Sequence, residues 1–182
     1  MAATNRVRIG GGEWRSRLVT FPDAEGLRPT PDRVRQTLFN WLGQDLHGLT
    51  CLDLFAGTGV MGFESLSRGA KAVMMVEKAS VAYKALLANK QQLKADAAQI
   101  LNQDALQFLT QNQQKFDVIY LDPPYQLAWL DKILPLLGQH LNTDGFVYVE
   151  AEYQVLDSSE WQVVKHGKAG AVFYHLLRST SG

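Results

Sequence analysis

Beyond residue 50, short runs of apolar residues alternate with segments in which apolar positions recur every three or four residues. The runs at 51–55, 72–76, 100–101, 116–121 and 146–149 read as strands. Between them, residues 60–68, 80–93, 105–110 and 130–137 carry helical spacing, the first closed by Gly69. Strands that are apolar almost throughout, separated by helices, predict a parallel sheet covered on both faces. The end breaks the alternation: residues 161–165 and 172–177 flank Gly167-Lys168-Ala169-Gly170, which predicts an antiparallel hairpin at one sheet edge.

The first fifty residues follow another pattern. Val7 and Ile9 lead into Gly10-Gly11-Gly12, and Trp14, Leu18 and Phe21 continue beyond with charges between them, which predicts a β-hairpin over residues 6–21. Residues 22–29 read as a loop. Thr30-Pro31 then predicts a helix start, with Thr30 as the N-cap and Pro31 at the first helical position. Val34, Leu38, Trp41 and Leu42 make its apolar face, and Arg33 and Arg35 are expected off it. The whole chain, 1–182, is expected to be one domain.

Charge changes this picture only through its distribution. Lys+Arg and Asp+Glu both total 18. Residues 1–35, however, hold seven arginines (Arg6, Arg8, Arg15, Arg17, Arg28, Arg33, Arg35) and no lysine, against four acids (Glu13, Asp23, Glu25, Asp32). Such a run is in general a solvated face. Here the all-arginine character, with interleaved Trp14 and glycines, points to an arm facing nucleic acid, because the guanidinium fork suits phosphate oxygens and stacks on bases. The single cysteine, Cys51, excludes an internal disulfide and a multi-cysteine zinc site, and its place in an apolar run predicts a core thiol. The four histidines, at 47, 140, 166 and 175, have no metal-ligand spacing, so no metal is expected. With no apolar leader at residues 1–6 and no membrane-length run, a cytoplasmic protein is expected.

Asp53-Leu54-Phe55-Ala56-Gly57-Thr58-Gly59-Val60-Met61-Gly62 joins the first parallel strand to its helix. Gly57, Gly59 and Gly62 satisfy the dinucleotide pattern G-x-G-x-x-G, which keeps a nicotinamide-dependent oxidoreductase among the readings. Asp53 argues otherwise. A carboxylate there repels a pyrophosphate but suits a ligand carrying an ammonium and a sulfonium, S-adenosylmethionine. Glu77, ending the second strand beside Lys78, would take ribose hydroxyls, and Asp104, after the third and followed by Ala105, would lie near the adenine. Three of the acids have a plainer reading, Asp104 as a helix cap, Glu77-Lys78 as an exposed ion pair, and Asp122 as a turn former in a Pro-Pro loop that packs Tyr125 on the core. Four acids (53, 77, 104, 122) each ending a successive strand make the more specific pattern.

Asp122-Pro123-Pro124-Tyr125 follows the run at 118–121. Each proline fixes φ and removes an N–H, leaving a stiff turn with unpartnered carbonyls. Asp122 and the Pro123 carbonyl could accept both N–H bonds of an exocyclic amino group and hold its nitrogen nearer sp³, with the lone pair aimed at a methyl donor. Tyr125 would stack on the base, which must leave its own stack to enter. The turn does not choose between guanine, adenine and cytosine.

The loop and the turn together resemble the class I amino-directed methyltransferases. With Arg8-Ile9-Gly10-Gly11-Gly12-Glu13-Trp14-Arg15 and the run Leu27-Arg28-Pro29-Thr30-Pro31-Asp32-Arg33-Val34-Arg35-Gln36-Thr37-Leu38-Phe39-Asn40-Trp41-Leu42, the chain resembles the RsmD family of bacterial ribosomal RNA methyltransferases over nearly its whole length. The resemblance implies a Rossmann-like, mostly parallel seven-stranded α/β sheet with an N-terminal RNA-binding hairpin. It also implies methyl transfer from S-adenosylmethionine, leaving S-adenosylhomocysteine, to N2 of guanine 966 in 16S rRNA, within the small ribosomal subunit or its assembly precursor. With the readings above, catalysis is expected at Asp122, Pro123, Pro124 and Tyr125; cofactor binding at Asp53, Phe55, Gly57, Gly59, Glu77, Lys78, Asp104 and Ala105; and RNA binding at the seven arginines. A monomer is expected. An amino-methyltransferase acting on adenine N6 of DNA or RNA, and a non-catalytic RNA-binding protein, remain as alternatives.

Overall fold

The strand carrying Asp53, β3 (Thr50–Asp53), lies inside a seven-stranded sheet, and everything at the site is placed by its neighbours. The computed structural model describes residues 4–124 and 128–181. Before β3 come β1 (Thr4–Arg8), β2 (Leu18–Pro22) and α1 (Asp32–Leu42). After it follow α2 (Val60–Ser67), β4 (Ala72–Val76), α3 (Ser80–Leu93), β5 (Ala98–Leu101), α4 (Ala105–Gln111) and β6 (Phe116–Leu121). The chain ends with α5 (Trp129–Leu137), a 3-10 turn, β7 (Leu141–Ala151), β8 (Trp161–Ala169) and β9 (Val172–Ser179).

The strand order is β5-β4-β3-β6-β7-β9-β8, parallel through β7, with β9 antiparallel to both neighbours. The C-terminal hairpin therefore lies at the expected edge, with its second strand inward, paired with β7. Successive strand residues point to opposite faces. Cys51, Val118, Tyr120 and Tyr148 join one core, with α1, α2 and the N-terminal hairpin. Leu52, Leu54, Ile119, Leu121, Val147 and Val149 join the other, with α4 and α5. Both faces are covered, so the strands show no polar alternation.

The N-terminal hairpin pairs Arg6 with Thr20 and Val7 with Val19 in a sheet of its own. It is no loose arm. Val7, Ile9, Val19 and Phe21 are buried in the α1–α2 core, each worth about 1.5–3 kcal/mol in transfer from water. Asn89 of α3 accepts from the Thr20 N–H (3.1 Å) and donates to its carbonyl (2.7 Å). At the tip, which holds Trp14, the Glu13 N–H donates to the Ser67 carbonyl at the end of α2 (2.7 Å) and the Trp14 N–H to Ser67 Oγ (2.8 Å). Gly12, at φ +81°, passes so close that a Cβ would lie 1.9 Å from the Ser67 carbonyl oxygen.

Two expectations at α1 are corrected. Pro31 is the N-cap rather than the first helical residue, and Thr30 makes no cap bond; its hydroxyl donates instead to Glu150, 120 positions away. Arg35, expected off the apolar face, is 2 % exposed.

Candidate active site

In open α/β sheets a ligand crevice forms beyond the carboxyl ends of the strands where the order reverses. Here that point lies between β3 and β6, whose ends carry Asp53 and Asp122. Asp53 is 3 % exposed and, among the described residues, accepts only a long bond, from the Phe55 N–H at 3.3 Å. Burial raises its pKa to about 7 against the opposing Phe55 N–H, and the charges of Glu77 and Glu150 add to the rise. Among the described residues no ion pair engages it. A buried acid without a cation of its own fits a ligand ammonium.

The loop after β3 is pinned through Glu77, at the end of β4. Its Oε1 accepts the Gly57 N–H at 2.7 Å and its Oε2 the Ala79 N–H at 2.9 Å. The three glycines divide their work. A Cβ on Gly59 would lie 2.4 Å from Leu86 Cδ2 on α3, and one on Gly62 2.5 Å from Met75 Cε on β4, so the first is required by packing between helices and the second by packing of α2 on the sheet. A Cβ on Gly57 would meet nothing nearer than Leu27 Cδ1 at 3.7 Å, an ordinary contact, so at this glycine alone of the three it is the backbone, at φ +55°, and not crowding that excludes a side chain. Asp104 caps α4, its Oδ2 accepting the Leu106 and Gln107 N–H groups at 3.0 and 3.2 Å. Ala105 is buried behind it and Lys78 is exposed. Phe55, half-buried, meets the Trp129 ring edge-on at 5.5 Å between centroids.

Asp122 and Pro123 follow β6 directly; Pro123 is buried and Pro124 exposed. Tyr125 lies outside the described residues. Asp122 is partly buried, and its carboxyl is pushed well above the usual range, first by burial, then by the Glu150 charge and a hydrogen bond with Glu150, and last by Asp53. Glu150, one residue before the end of β7, is 5 % exposed. Its Oε1 accepts the Tyr148 hydroxyl at 2.6 Å and the Thr30 hydroxyl at 3.0 Å. Sequence reasoning missed Glu150, although the signal was present: it stands at the carboxyl end of the fifth parallel strand, as Asp122 stands at that of the fourth.

Arg6, Arg8, Arg15, Arg17, Arg28 and Arg33 are exposed. Arg17 reaches the Gln92 carbonyl at 3.1 Å and Arg8 that of Ser16 at 3.2 Å. Arg35 departs from the expected RNA-facing role because its guanidinium is engaged internally. It donates to Glu64 Oε1 (3.1 Å), the Thr30 carbonyl (2.6 Å), the Arg8 carbonyl (2.7 Å) and Asp32 Oδ1 (2.7 Å). Glu64, 1 % exposed, also accepts the Gly10 N–H and binds Arg68 at 2.7 Å. Cys51 is fully buried as expected, and burial pushes its thiol up to about 12.

A mostly parallel seven-stranded sheet with one antiparallel strand near its edge, and an acid and a glycine loop at the central switch point, is the class I S-adenosylmethionine-dependent methyltransferase fold. The chain belongs to the RsmD family: the family model described as "Conserved hypothetical protein 95" matches residues 7–178. It is 40% identical to Ribosomal RNA small subunit methyltransferase D of Haemophilus influenzae, covering 97% of this chain and 96% of that one. The protein of the same name from Escherichia coli K12 is 37% identical, over 97% and 92%. A solved structure from Escherichia coli, described as the methyltransferase yhhF, superimposes with a TM-score of 0.86 at 37% identity, covering 96% of this chain and 98% of that one. SMU.776, a methyltransferase solved with S-adenosylhomocysteine, shares the fold at 15% identity and a TM-score of 0.71, over 88% and 53%.

Proposed function

We propose that this chain transfers a methyl group from S-adenosylmethionine to the exocyclic N2 of a guanine, position 966, in 16S rRNA of the small ribosomal subunit or its precursor. The observation that carries the reading is the placement of Asp53 and Asp122 at the ends of adjacent strands, beside the loop that Glu77 pins through the Gly57 N–H. The substrate class follows from relatives named as small-subunit rRNA methyltransferases at 37–40% identity over nearly the full chain.

Asp53 would hold the ligand's ammonium. Glu77, already the acceptor for Gly57, would receive the ribose hydroxyls; Phe55, Lys78, Asp104 and Ala105 would border the adenosine. The bound cofactor supplies a methyl group already activated by sulfonium charge. Asp122 and the Pro123 carbonyl accept the amino N–H bonds and orient the nitrogen, and Tyr125 stacks on the base. Orientation is the larger lever, with aligned reactants supplying on the order of 7–11 kcal/mol in favourable cases. Arg6, Arg8, Arg15, Arg17, Arg28 and Arg33 face the RNA backbone; Arg35 is left out of this set because its donors are engaged internally.

The test is to incubate the protein with small subunits lacking the mark and labelled S-adenosylmethionine, then identify the product nucleoside by mass spectrometry. N2-methylguanine is the expected product. Label on adenine N6 overturns the choice of base, and methylation of plasmid DNA in preference to subunits overturns the choice of polymer.

A further inference from the structure

Tyr120 on β6 pairs with Tyr148 on β7. Side chains repeat at every second position, so just beyond the last paired residues, Leu121 and Val149, Asp122 comes beside Glu150, whose carboxyl it meets. The next strand, β9, sets Tyr174 opposite Glu150. The two carboxyls thus share one corner of the sheet, with the Tyr148 hydroxyl (2.6 Å) and the Thr30 hydroxyl (3.0 Å) both donating to Glu150 Oε1. Thr30 is itself fixed, because Arg35 donates to its carbonyl at 2.6 Å and to the Arg8 carbonyl at the end of β1 at 2.7 Å.

We propose that Glu150 is the positioning residue for Asp122, accepting the Asp122 hydroxyl so that the other Asp122 oxygen is turned towards the substrate amine. This rests on the role given to Asp122 above. Burial and the neighbouring Glu150 charge both favour the protonated form of Asp122, which can then donate to Glu150. The charged and titratable groups facing the pair reinforce this. Asp53 comes from β3, Tyr148 from β7 itself and Tyr174 from β9, and the Arg35 guanidinium is directed at the Thr30 carbonyl rather than at either carboxyl. The rise in the Asp122 pKa, with Glu150 as its main partner after burial, agrees with a protonated Asp122 donating to Glu150.

The same pair disposes of the proton released by methylation. As the new N–C bond forms and the S–C bond breaks, the nitrogen becomes positively charged. One of its N–H bonds then breaks and that proton joins the facing Asp122 oxygen, while the proton already on Asp122 passes to Glu150. The pair, singly protonated before turnover, is doubly protonated after it and returns one proton to water as product leaves.

The test is Glu150→Gln, which keeps an oxygen for Tyr148 and Thr30 but cannot take the proton. With unmethylated subunits, kcat should fall on the order of tenfold to a hundredfold, with KM for both substrates within about twofold. The limb of the pH–rate profile set by Asp122 should also move to lower pH once the Glu150 charge that raises it is gone. Unchanged kcat, or a lower kcat with an unaltered profile, overturns the proposal. Thr30→Val, which removes one anchor of Glu150, provides a second reading should Glu150→Gln fail to bind S-adenosylmethionine in calorimetry. A several-fold loss of kcat is expected there, and wild-type turnover counts against the proposal. In an Asp122→Asn background Glu150→Gln should add nothing; a further loss means that Glu150 does not act through Asp122. Full turnover by Asp122→Asn itself sinks the reading of the catalytic turn. If Asp122→Asn is inactive and Glu150→Gln behaves like wild type, only the present inference falls.

Discussion

The Gly57 N–H donates to the Glu77 carboxylate at 2.7 Å, fastening the loop after β3 to the end of β4. A residue expected to receive ribose hydroxyls therefore also holds the backbone on which the cofactor is to lie. The bond is charge-assisted, and the second Glu77 oxygen is committed to Ala79. Glu77→Ala removes both functions. A hydrogen bond to a charged group is worth about 1.5–3 kcal/mol, so S-adenosylmethionine affinity should fall about tenfold to a hundredfold or more, read by calorimetry. Affinity within twofold of wild type refutes the assignment.

The ammonium site proposed at Asp53 predicts that cofactor binding depends on pH. Its folded-state pKa, near 7, lies above the ordinary 3.8, so the folded chain holds this proton more tightly than the unfolded chain. The resulting stabilisation is complete below about pH 3.8, declines as pH rises to about 7, and is absent above. An ammonium ligand selects the ionised form and acts in the opposite sense. Binding at pH 6 should release a proton, so calorimetric enthalpies measured in two buffers of different ionisation enthalpy should diverge there. Asp53→Asn should abolish the divergence, weaken binding and stabilise the free protein at pH 8. Equal enthalpies in both buffers at pH 6 remove Asp53 from the ammonium site.

The parallel sheet was legible because both its faces are covered, which turns each inner strand into an unbroken apolar run. The strand-end placement of Asp53, Glu77 and Asp122 was legible for a related reason: each is the first charge after such a run. Glu150 was not, because β7 was expected to end at Val149, whereas it runs to Ala151. Arg35 was misread, although it precedes Leu38 by three positions and Phe39 by four and so lies on their face; a charged residue in a polar-looking segment was counted as surface. Its partner Glu64, on α2, could not be found by local pattern. Nor could the Thr30–Glu150 bond, which spans 120 positions. Local signals favoured a cap at Thr30, and a distant buried carboxylate took its hydroxyl instead.

Gly12 fixes the hairpin tip to the core. It adopts φ +81°, and an added Cβ would lie 1.9 Å from the Ser67 carbonyl oxygen, a backbone atom that cannot step aside. Gly12→Ala should therefore destabilise by at least about 1–3 kcal/mol from the left-handed conformation alone. For a chain of this length each kcal/mol lowers the melting temperature by about 2–4 °C. Hydrogen exchange should rise first at the Glu13 and Trp14 amides, which donate to Ser67. An unchanged melting temperature contradicts the docking described.

Arg15 and Arg35 test how the N-terminal arginines divide between RNA and the fold. Arg15 is exposed, while Arg35 is 2 % exposed and paired with Glu64, itself 1 % exposed. Removing one member of a buried pair leaves an uncompensated charge and costs about 3–5 kcal/mol. Arg35→Ala should lower the unfolding midpoint in urea accordingly. Arg15→Ala and Arg33→Ala should leave that midpoint unchanged and weaken RNA binding. Every phosphate left without its arginine should flatten the dependence of log affinity on log salt by about 0.7–0.9. If Arg35→Ala is as stable as wild type, the internal network does not hold the hairpin. If the exposed substitutions leave the salt slope unaltered, the hairpin and the start of α1 do not face the RNA.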